Sequence, residues 1–279
     1  MKKHSSGIEK KRDFIIKHKS LTEEMISFYV KLYAAQEKAY ESLPDDINKL
    51  FPLNSGKPPF LQIENATLST EIVANLSLLL KELSEIVSDS NPGMNFDILI
   101  KSFSGIAEES FIKFLQQDFD YFEEKASEYR IDISELIFMI HNVFKPLLVK
   151  VRITSGLSVK RDQWLERDCP FCGYMPDFSK IVEAKDNMRK LHCSLCEEEW
   201  EFPRLKCHAC GNDDQDTLGY YEFEDNPDYR VYYCDKCKSY IKSIRIPKLK
   251  EEAGYDLAVE DVVTGFLDST MMNKNYSRS

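Results

Sequence analysis

Eight cysteines are the side chains of this sequence best suited to binding chemistry, and all of them lie between residues 169 and 237. Two cysteines separated by two residues can point at one ion from a tight turn, and two such turns supply four thiolates in a tetrahedron. In a reducing compartment, paired cysteines of this kind indicate metal ligands rather than disulfides. The sequence therefore predicts two four-cysteine metal sites with one ion each, formed by Cys169, Cys172, Cys193, Cys196, Cys207, Cys210, Cys234 and Cys237.

The distances between the CxxC pairs favour a sequential grouping. Twenty residues separate the first pair from the second and 23 separate the third from the fourth, which is enough for a β-hairpin in each case. Only 10 residues separate the second pair from the third. Sequential grouping predicts two similar ribbons over residues 169–196 and 207–237. An interleaved grouping, first pair with third and second with fourth, stays open because spacing alone does not exclude it.

The residue after each CxxC pair bears on the geometry of the turn. Gly173 and Gly211 follow the first and third pairs and can adopt a positive φ angle at little cost. Glu197 and Lys238 hold this place in the other two turns, so the geometry of those turns is less well determined.

The ligand set limits the chemistry but not the metal. Four thiolates bind either iron or zinc. Neither site keeps the open coordination position that hydrolytic catalysis needs, so we expect ions that fold the small ribbons, and iron would add redox capability. His192 and His208 adjoin ligands, but eight thiolates already complete two sites, so we expect roles beside the ligands or at the surface. An alternative is a protein of redox-active CxxC dithiols without metal.

The charge distribution argues against nucleic acid as a partner. The net charge is −10, and residues 168–247 contain 16 Asp and Glu against 11 Lys and Arg, a net charge of −5. Ribbons that grip DNA or RNA usually carry basic strands. Four cations near the second pair are expected to form a solvated local patch: Arg189, Lys190, Arg204 and Lys206. A nucleic-acid-binding zinc ribbon remains the second alternative.

The segments around the cysteines predict an α+β protein. Apolar residues at spacings of three and four predict a helical bundle before the cysteines, including a helix over residues 108–126 with Phe119 inward and a last helix that Pro146 kinks or breaks. Short β-rich runs follow, at residues 188–192, 199–205, 218–223, 229–233 and 240–246. The predicted organisation is a flexible basic lead-in (1–19), a helical bundle domain (20–165), a first ribbon (166–204), a second ribbon (205–250), and a C-terminal helix and tail (251–279).

The sequence shows neither a membrane-spanning segment nor a signal peptide. No stretch approaches the ~20 consecutive apolar residues of a membrane span, and no apolar core of a signal peptide follows the basic start. We therefore expect a cytoplasmic location and no membrane partner. No convincing Ser/His/Asp set or phosphate-binding loop is visible, so we expect no enzymatic activity.

The cysteine region resembles the formate dehydrogenase accessory protein (FdhE) family. The resemblance rests on CPFCGYMP at 169–176, on RKLHCSLCEEEWEFPRLKCHACG at 189–211 and on YYCDKCKSYIKSI at 232–244, with weaker likeness in AAQEKA at 34–39, KPPFL at 57–61 and LAVEDVVTGFLDSTMMNKNY at 257–276. It implies a helical N-terminal region, two rubredoxin-like four-cysteine units and a C-terminal helix. The eight cysteines match the positions of the family one for one.

The resemblance also implies a function. It implies a cytoplasmic, chaperone-like maturation factor that binds the immature catalytic subunit of formate dehydrogenase and is not itself an enzyme. It implies iron as the metal at both sites, with zinc as the substitute expected after overexpression.

Overall fold

The computed structural model describes residues 8–17, 21–160, 163–182, 188–246 and 255–278. Contacts divide the chain into two compact units, one of Met1–Leu157 with Phe171–Tyr174 and one of Ser158–Pro170 with Met175–Ser279. Helices build the first unit, and one mixed sheet with two short helices builds the second, so the α+β class is confirmed. Within the described residues, no helix combines the length and hydropathy that crossing a membrane requires.

The first unit consists of helices, four of which begin at capping residues. The helices are α1 (Ile8–Lys17), α2 (Glu23–Ser42), α3 (Thr70–Ser90), α4 (Asp97–Leu115), α5 (Phe119–Tyr129) and α6 (Ile133–Ser155). The side chains of Thr22, Ser69, Asp118 and Asp132 each accept a hydrogen bond from a backbone N–H in the first turn that follows. These bonds satisfy N–H groups that have no partner inside the helix.

The start of the chain differs from the predicted flexible lead-in. Residues 8–17 form α1, which packs against α2. Ile15 is fully buried, and Arg12 pairs with Glu37 of α2 at 3.0 Å. An apolar residue and an ion pair on one face are enough to dock a short basic helix that its charge alone would leave solvated. Residues 1–7 and 18–19 lie outside the described part of the chain.

The predicted helix over residues 108–126 is wrong at both its start and its middle. The structure has α4 and α5 instead, separated at Gln117, whose φ angle is +58°. Asp118 caps α5 and also binds Lys113 at 2.7 Å, so local polar bonds favour the break. Phe119, predicted to point inward, is 43% exposed.

The sequence predicts that Pro146 kinks or breaks the last helix of the bundle, but α6 continues through this residue, so a break is wrong. A proline lacks the N–H that would bond to the carbonyl four residues earlier, here that of Asn142. Gln36 of α2 donates from Nε2 to this carbonyl at 3.2 Å and to Asn142 Oδ1 at 3.0 Å. A buried glutamine therefore satisfies the acceptor that the proline leaves free.

The second unit is organised around one sheet. Its strands are β1 (Pro176–Val182), β2 (Met188–Cys193), β3 (Glu199–Phe202), β4 (Leu218–Glu222), β5 (Tyr229–Cys234), β6 (Ser239–Ile246) and β7 (Ser277–Arg278). The order is β3-β2-β1-β6-β5-β4, with β7 beside β6. Antiparallel pairing builds each ribbon, and parallel pairing of β1 with β6 joins the two ribbons into one sheet.

The end of the chain covers part of this sheet. Helices α7 (Leu257–Val263) and α8 (Gly265–Met272) replace the single predicted helix. Leu267 and Met271 of α8 belong to a buried cluster with Val231, Tyr240 and Tyr276. The polar composition of residues 273–279 predicts a loose tail, but the chain is ordered through Arg278, whose β7 pairs with β6.

Candidate metal centres

The first sulfur cluster is closed to solvent. It contains Cys169 and Cys172 from the turn before β1, and Cys193 and Cys196 from the turn between β2 and β3. Their Sγ atoms all lie within 4.8 Å of one another, and all four residues are buried. Sγ of Cys169 and Sγ of Cys196 are 3.5 Å apart.

The second sulfur cluster has the same composition but a more open environment. It contains Cys207, Cys210, Cys234 and Cys237, and its sulfur atoms also lie within 4.8 Å of one another. Cys207 and Cys234 are buried, Cys237 is half-buried and Cys210 is exposed. Sγ of Cys207 is 3.7 Å from that of Cys237, and Sγ of Cys210 is 3.9 Å from that of Cys234.

Both clusters fit a tetrahedral metal ion. A metal–sulfur bond of about 2.3 Å places the sulfur atoms of a tetrahedron roughly 3.8 Å apart, and the three measured distances are 3.5, 3.7 and 3.9 Å. Each of these distances joins two sulfur atoms from different CxxC motifs. Two motifs that share one ion must come this close, whereas a redox dithiol needs only the two cysteines of one motif. The sequential grouping is therefore the one the structure shows.

The turns that present the sulfur atoms share one backbone conformation. The residue after the second cysteine has a positive φ angle in all four turns: 77° at Gly173, 61° at Glu197, 72° at Gly211 and 57° at Lys238. A backbone bond closes the turn in three of them, from Glu197 N–H to the Cys193 carbonyl, from Gly211 N–H to Cys207 and from Lys238 N–H to Cys234. The two non-glycine residues thus adopt the geometry that the sequence left open, at a steric cost.

Hydrogen-bond donors surround the sulfur atoms of the second cluster. The N–H of Ala209 donates to Cys207 Sγ at 3.4 Å, and Asn212 Nδ2 donates to Cys234 Sγ at 3.6 Å. Ser239 Oγ lies 2.9 Å from Cys237 Sγ, and its hydroxyl is the donor when the sulfur is a thiolate. Such bonds spread the negative charge of a metal–thiolate group.

The thiols of the second cluster ionise unequally. Desolvation and hydrogen bonding with Cys237 and Cys207 raise the pKa of Cys210 to about 12, although part of this side chain is exposed. Burial opposes ionisation of Cys237 as well, but hydrogen bonds from Ser239 and from neighbouring thiols lower its pKa to about 7. A coordinated cation deprotonates its thiol ligands outright. A bound cation would thus supply the positive charge that offsets the repulsion among four thiolates at this separation.

Neither histidine beside the cysteines belongs to a sulfur cluster of the described residues, and neither lies at the surface. His192 Nδ1 is 3.0 Å from Asp177 Oδ1. Burial, followed by the charges of Arg189 and Arg167, lowers the pKa of His208 to about 3, so this ring is neutral at pH 7.

The basic patch expected near the second pair is divided by burial. Arg204 is exposed, and Lys190 and Lys206 are half-buried. Arg189, however, is only 2% exposed, so its expected place on a solvated face is wrong. The available signal was the apolar Leu191 two residues later on β2, since alternate residues of a strand face one side.

Comparison with known proteins finds relatives of one family. A family model described as "FdhE, central domain" matches residues 168–204, which carry the first cluster. "Protein FdhE homolog" from Proteus mirabilis (strain HI4320) is 26% identical over 261 residues, covering 92% of this chain and 80% of the relative. The chain is similar to FdhE proteins along most of its length.

Other FdhE relatives match the chain over shorter segments. "Protein FdhE homolog" from Shewanella sp. (strain MR-4) is 38% identical over 110 residues, which is 39% of this chain and 35% of that relative. The homolog from Aquifex aeolicus (strain VF5) is 30% identical over 141 residues, 47% of this chain and 49% of the relative. The matched segments thus span between about a third and a half of these two relatives.

A solved FdhE structure has the same fold. "The crystal structure of the FdhE protein from Pseudomonas aeruginosa" aligns with 99% of this chain and 94% of that chain, with a TM-score of 0.58 and 17% sequence identity. At this identity the likeness concerns the fold alone.

Proposed function

We propose that this chain is a metal-binding accessory factor in the maturation of formate dehydrogenase, and that it binds the immature catalytic subunit of that enzyme. The observation that carries the proposal is the pair of complete four-sulfur clusters on one sheet, in a chain that is similar to FdhE proteins. The similarity to FdhE proteins suggests maturation of formate dehydrogenase as the process. Ions bound at the clusters would give the sheet a fixed shape to which a client protein could bind.

Each cluster would hold one ion, iron or zinc, through four protein ligands: Cys169, Cys172, Cys193 and Cys196 at the first, and Cys207, Cys210, Cys234 and Cys237 at the second. A bound ion cross-links turns that are distant in sequence, and iron would also exchange electrons. Because four thiolates fill a tetrahedral site, no position is left for substrate. This ligand set supports an accessory role in preference to a hydrolytic enzyme.

The client is proposed to be a protein in the cytoplasm, where a catalytic subunit receives its cofactor. The acidity of residues 168–247, with a net charge of −5, disfavours a nucleic-acid phosphate backbone as the partner. Metal–thiolate groups add further negative charge to this region.

An anaerobic pull-down from the native host, read by mass spectrometry, tests the proposal. The bait is the tagged full chain, compared with a Cys207→Ser/Cys234→Ser variant and with Lys38→Met, which alters only an exposed ion pair on the helical unit. We expect wild type and Lys38→Met to recover the catalytic subunit of a molybdenum- or tungsten-dependent formate dehydrogenase, and the cysteine variant to lose it. Recovery of RNA or ribosomal proteins from cells that are making the dehydrogenase, without its catalytic subunit, would contradict the proposal.

A further inference from the structure

Arg189 is a buried charged side chain that forms no ion pair with an acidic residue in the part of the chain that the structure describes. It lies on β2 of the first ribbon and is 2% exposed. No carboxylate of the described residues forms an ion pair with it, and its Nε has no hydrogen-bond partner among them. Burying a cation is costly unless an opposite charge compensates it. The described residues therefore leave this positive charge without a compensating carboxylate.

The contacts of Arg189 point away from its own ribbon. Nη1 donates to the carbonyl of Lys206 at 3.4 Å, and the guanidinium carbon lies 4.3 Å from the ring centre of Tyr232 on β5. Both partners flank cysteines of the second cluster, since Lys206 precedes Cys207 and Tyr232 lies two residues before Cys234. A side chain of the first ribbon thus contacts residues that lie beside the second metal centre.

A small cavity connects this arginine with the second cluster. The cavity has a volume of about 30 Å³, and its wall includes Arg189, Cys207, Cys234 and Ser239. Arg204 and Lys206 also line it, whereas none of its described lining residues is Asp or Glu. Three cations and two cysteine ligands therefore share the wall of one cavity.

A second cluster with its metal bound would carry a net negative charge that balances these cations. Four thiolates around a divalent ion carry a net charge of −2, and around a trivalent ion −1. In an interior of low dielectric constant, such a charge is attracted strongly to a nearby cation. Burial is the largest influence on the Arg189 guanidinium and lowers its pKa to about 10, which leaves it protonated at pH 7.

We propose that Arg189 is the buried counter-charge of the second metal–thiolate centre and controls how firmly that centre holds its ion. Arg189 binds no metal. Its charge stabilises the metal–thiolate centre, so metal retention by the second ribbon depends on a residue of the first ribbon. The inference rests on metal binding by the second cluster and not on the identity of the client.

The test is metal release from the purified full chain loaded with two equivalents of Co²⁺. Release to an excess of chelator is followed by the cobalt–thiolate absorption, and alkylation with mass spectrometry identifies the cysteines that are freed. In Arg189→Met we expect one equivalent to leave about tenfold faster than in wild type, with Cys207, Cys210, Cys234 and Cys237 freed and the first cluster unchanged. Arg189→Lys keeps the charge and is expected to restore most of the slow release.

Two variants separate charge from packing. Lys190→Met makes the same change of charge on the opposite face of the same strand, so we expect release at the wild-type rate. Lys206→Met removes a half-buried cation from the cavity wall, so we expect a smaller acceleration of the same equivalent, and this variant serves also if Arg189→Met does not fold. The inference is overturned if Arg189→Met releases metal at the wild-type rate, if both centres accelerate alike, or if Lys206→Met leaves release unchanged.

Discussion

Ser239 Oγ lies 2.9 Å from Cys237 Sγ in the second cluster. Ser243 is on the same strand, β6, and its buried Oγ has no hydrogen-bond partner among the described residues. The two hydroxyls are alike in chemistry and differ in whether a sulfur ligand is within reach. They provide a matched pair for measuring what one hydroxyl contributes to a metal–thiolate site.

Replacing Ser239 by alanine is expected to weaken metal binding at the second cluster only. A hydrogen bond to a charged group contributes about 1.5 kcal/mol or more, which corresponds to a loss of about tenfold in affinity. Competition with a chromophoric chelator measures this change, and Ser243→Ala should bind both ions as wild type does. Equal affinities of the two variants would show that the hydroxyl does not stabilise the thiolate.

The difference in burial between the clusters predicts an order of chemical modification. Cys210 is exposed and Cys237 is half-buried, whereas all four cysteines of the first cluster are buried. As metal is withdrawn from the native protein, we expect an alkylating reagent to label Cys210 and Cys237 before any cysteine of the first cluster. Peptide mass spectrometry over time gives the order. Rapid labelling of all eight thiols in the metal-loaded protein would instead favour the CxxC dithiol alternative.

The sulfur sites could be predicted from the sequence because their determinants are local. Two residues between cysteines define a turn, and gaps of 20 and 23 residues define a hairpin, so the grouping follows from short segments of chain. The positive φ angles at Glu197 and Lys238 were harder to foresee, because the turn imposes a conformation that these residue types disfavour.

The features that sequence reasoning missed depend on distant contacts. Strand β1 was not predicted because its polar Ser179 and Lys180 interrupt the apolar pattern, yet both are buried and bonded, Ser179 to the Lys242 carbonyl and Lys180 to Glu199. The joining of both ribbons into one sheet depends on this strand. The continuity of α6 likewise depends on Gln36, which lies 106 residues before the carbonyl it satisfies. No local pattern carries such information.

Metal removal is expected to affect the two units differently. The helical unit has a core of its own, with Leu76, Leu80, Phe103, Phe144 and Leu147 fully buried. The turns of the sheet unit are held at the sulfur clusters, and such metal binding contributes directly to the free energy of folding. Under a strong chelator we expect the thermal transition of the sheet to be lost while most helical circular dichroism at 222 nm remains. Loss of both signals at one temperature would show that the helical unit needs the ions too.

Lys242 supports the sheet through a buried ionic network, and its replacement by methionine should be strongly destabilising. It is 1% exposed, and its Nζ lies 2.9 Å from Asp261 Oδ1 and 2.6 Å from Asp268 Oδ2. Removing the cation would leave the two carboxylates with only the more exposed Arg278 as a cationic partner among the described residues. Breaking a buried pair typically costs about 3 kcal/mol or more, so we expect a loss that approaches this size. The measurement is the thermal midpoint of the sheet unit in the metal-loaded protein.

Lys38→Met is the matched control for Lys242→Met. Lys38 pairs with Glu82 at the same 2.9 Å, but its side chain is 74% exposed. An exposed pair contributes between about 0 and 1 kcal/mol, so the midpoint of the helical unit should shift little. Since the two pairs share a distance and differ in burial, a large shift for Lys242→Met alone would assign the effect to the buried carboxylates that lose the lysine. Similar small shifts in both variants would mean that Arg278 and water compensate Asp261 and Asp268 well enough to replace the lysine.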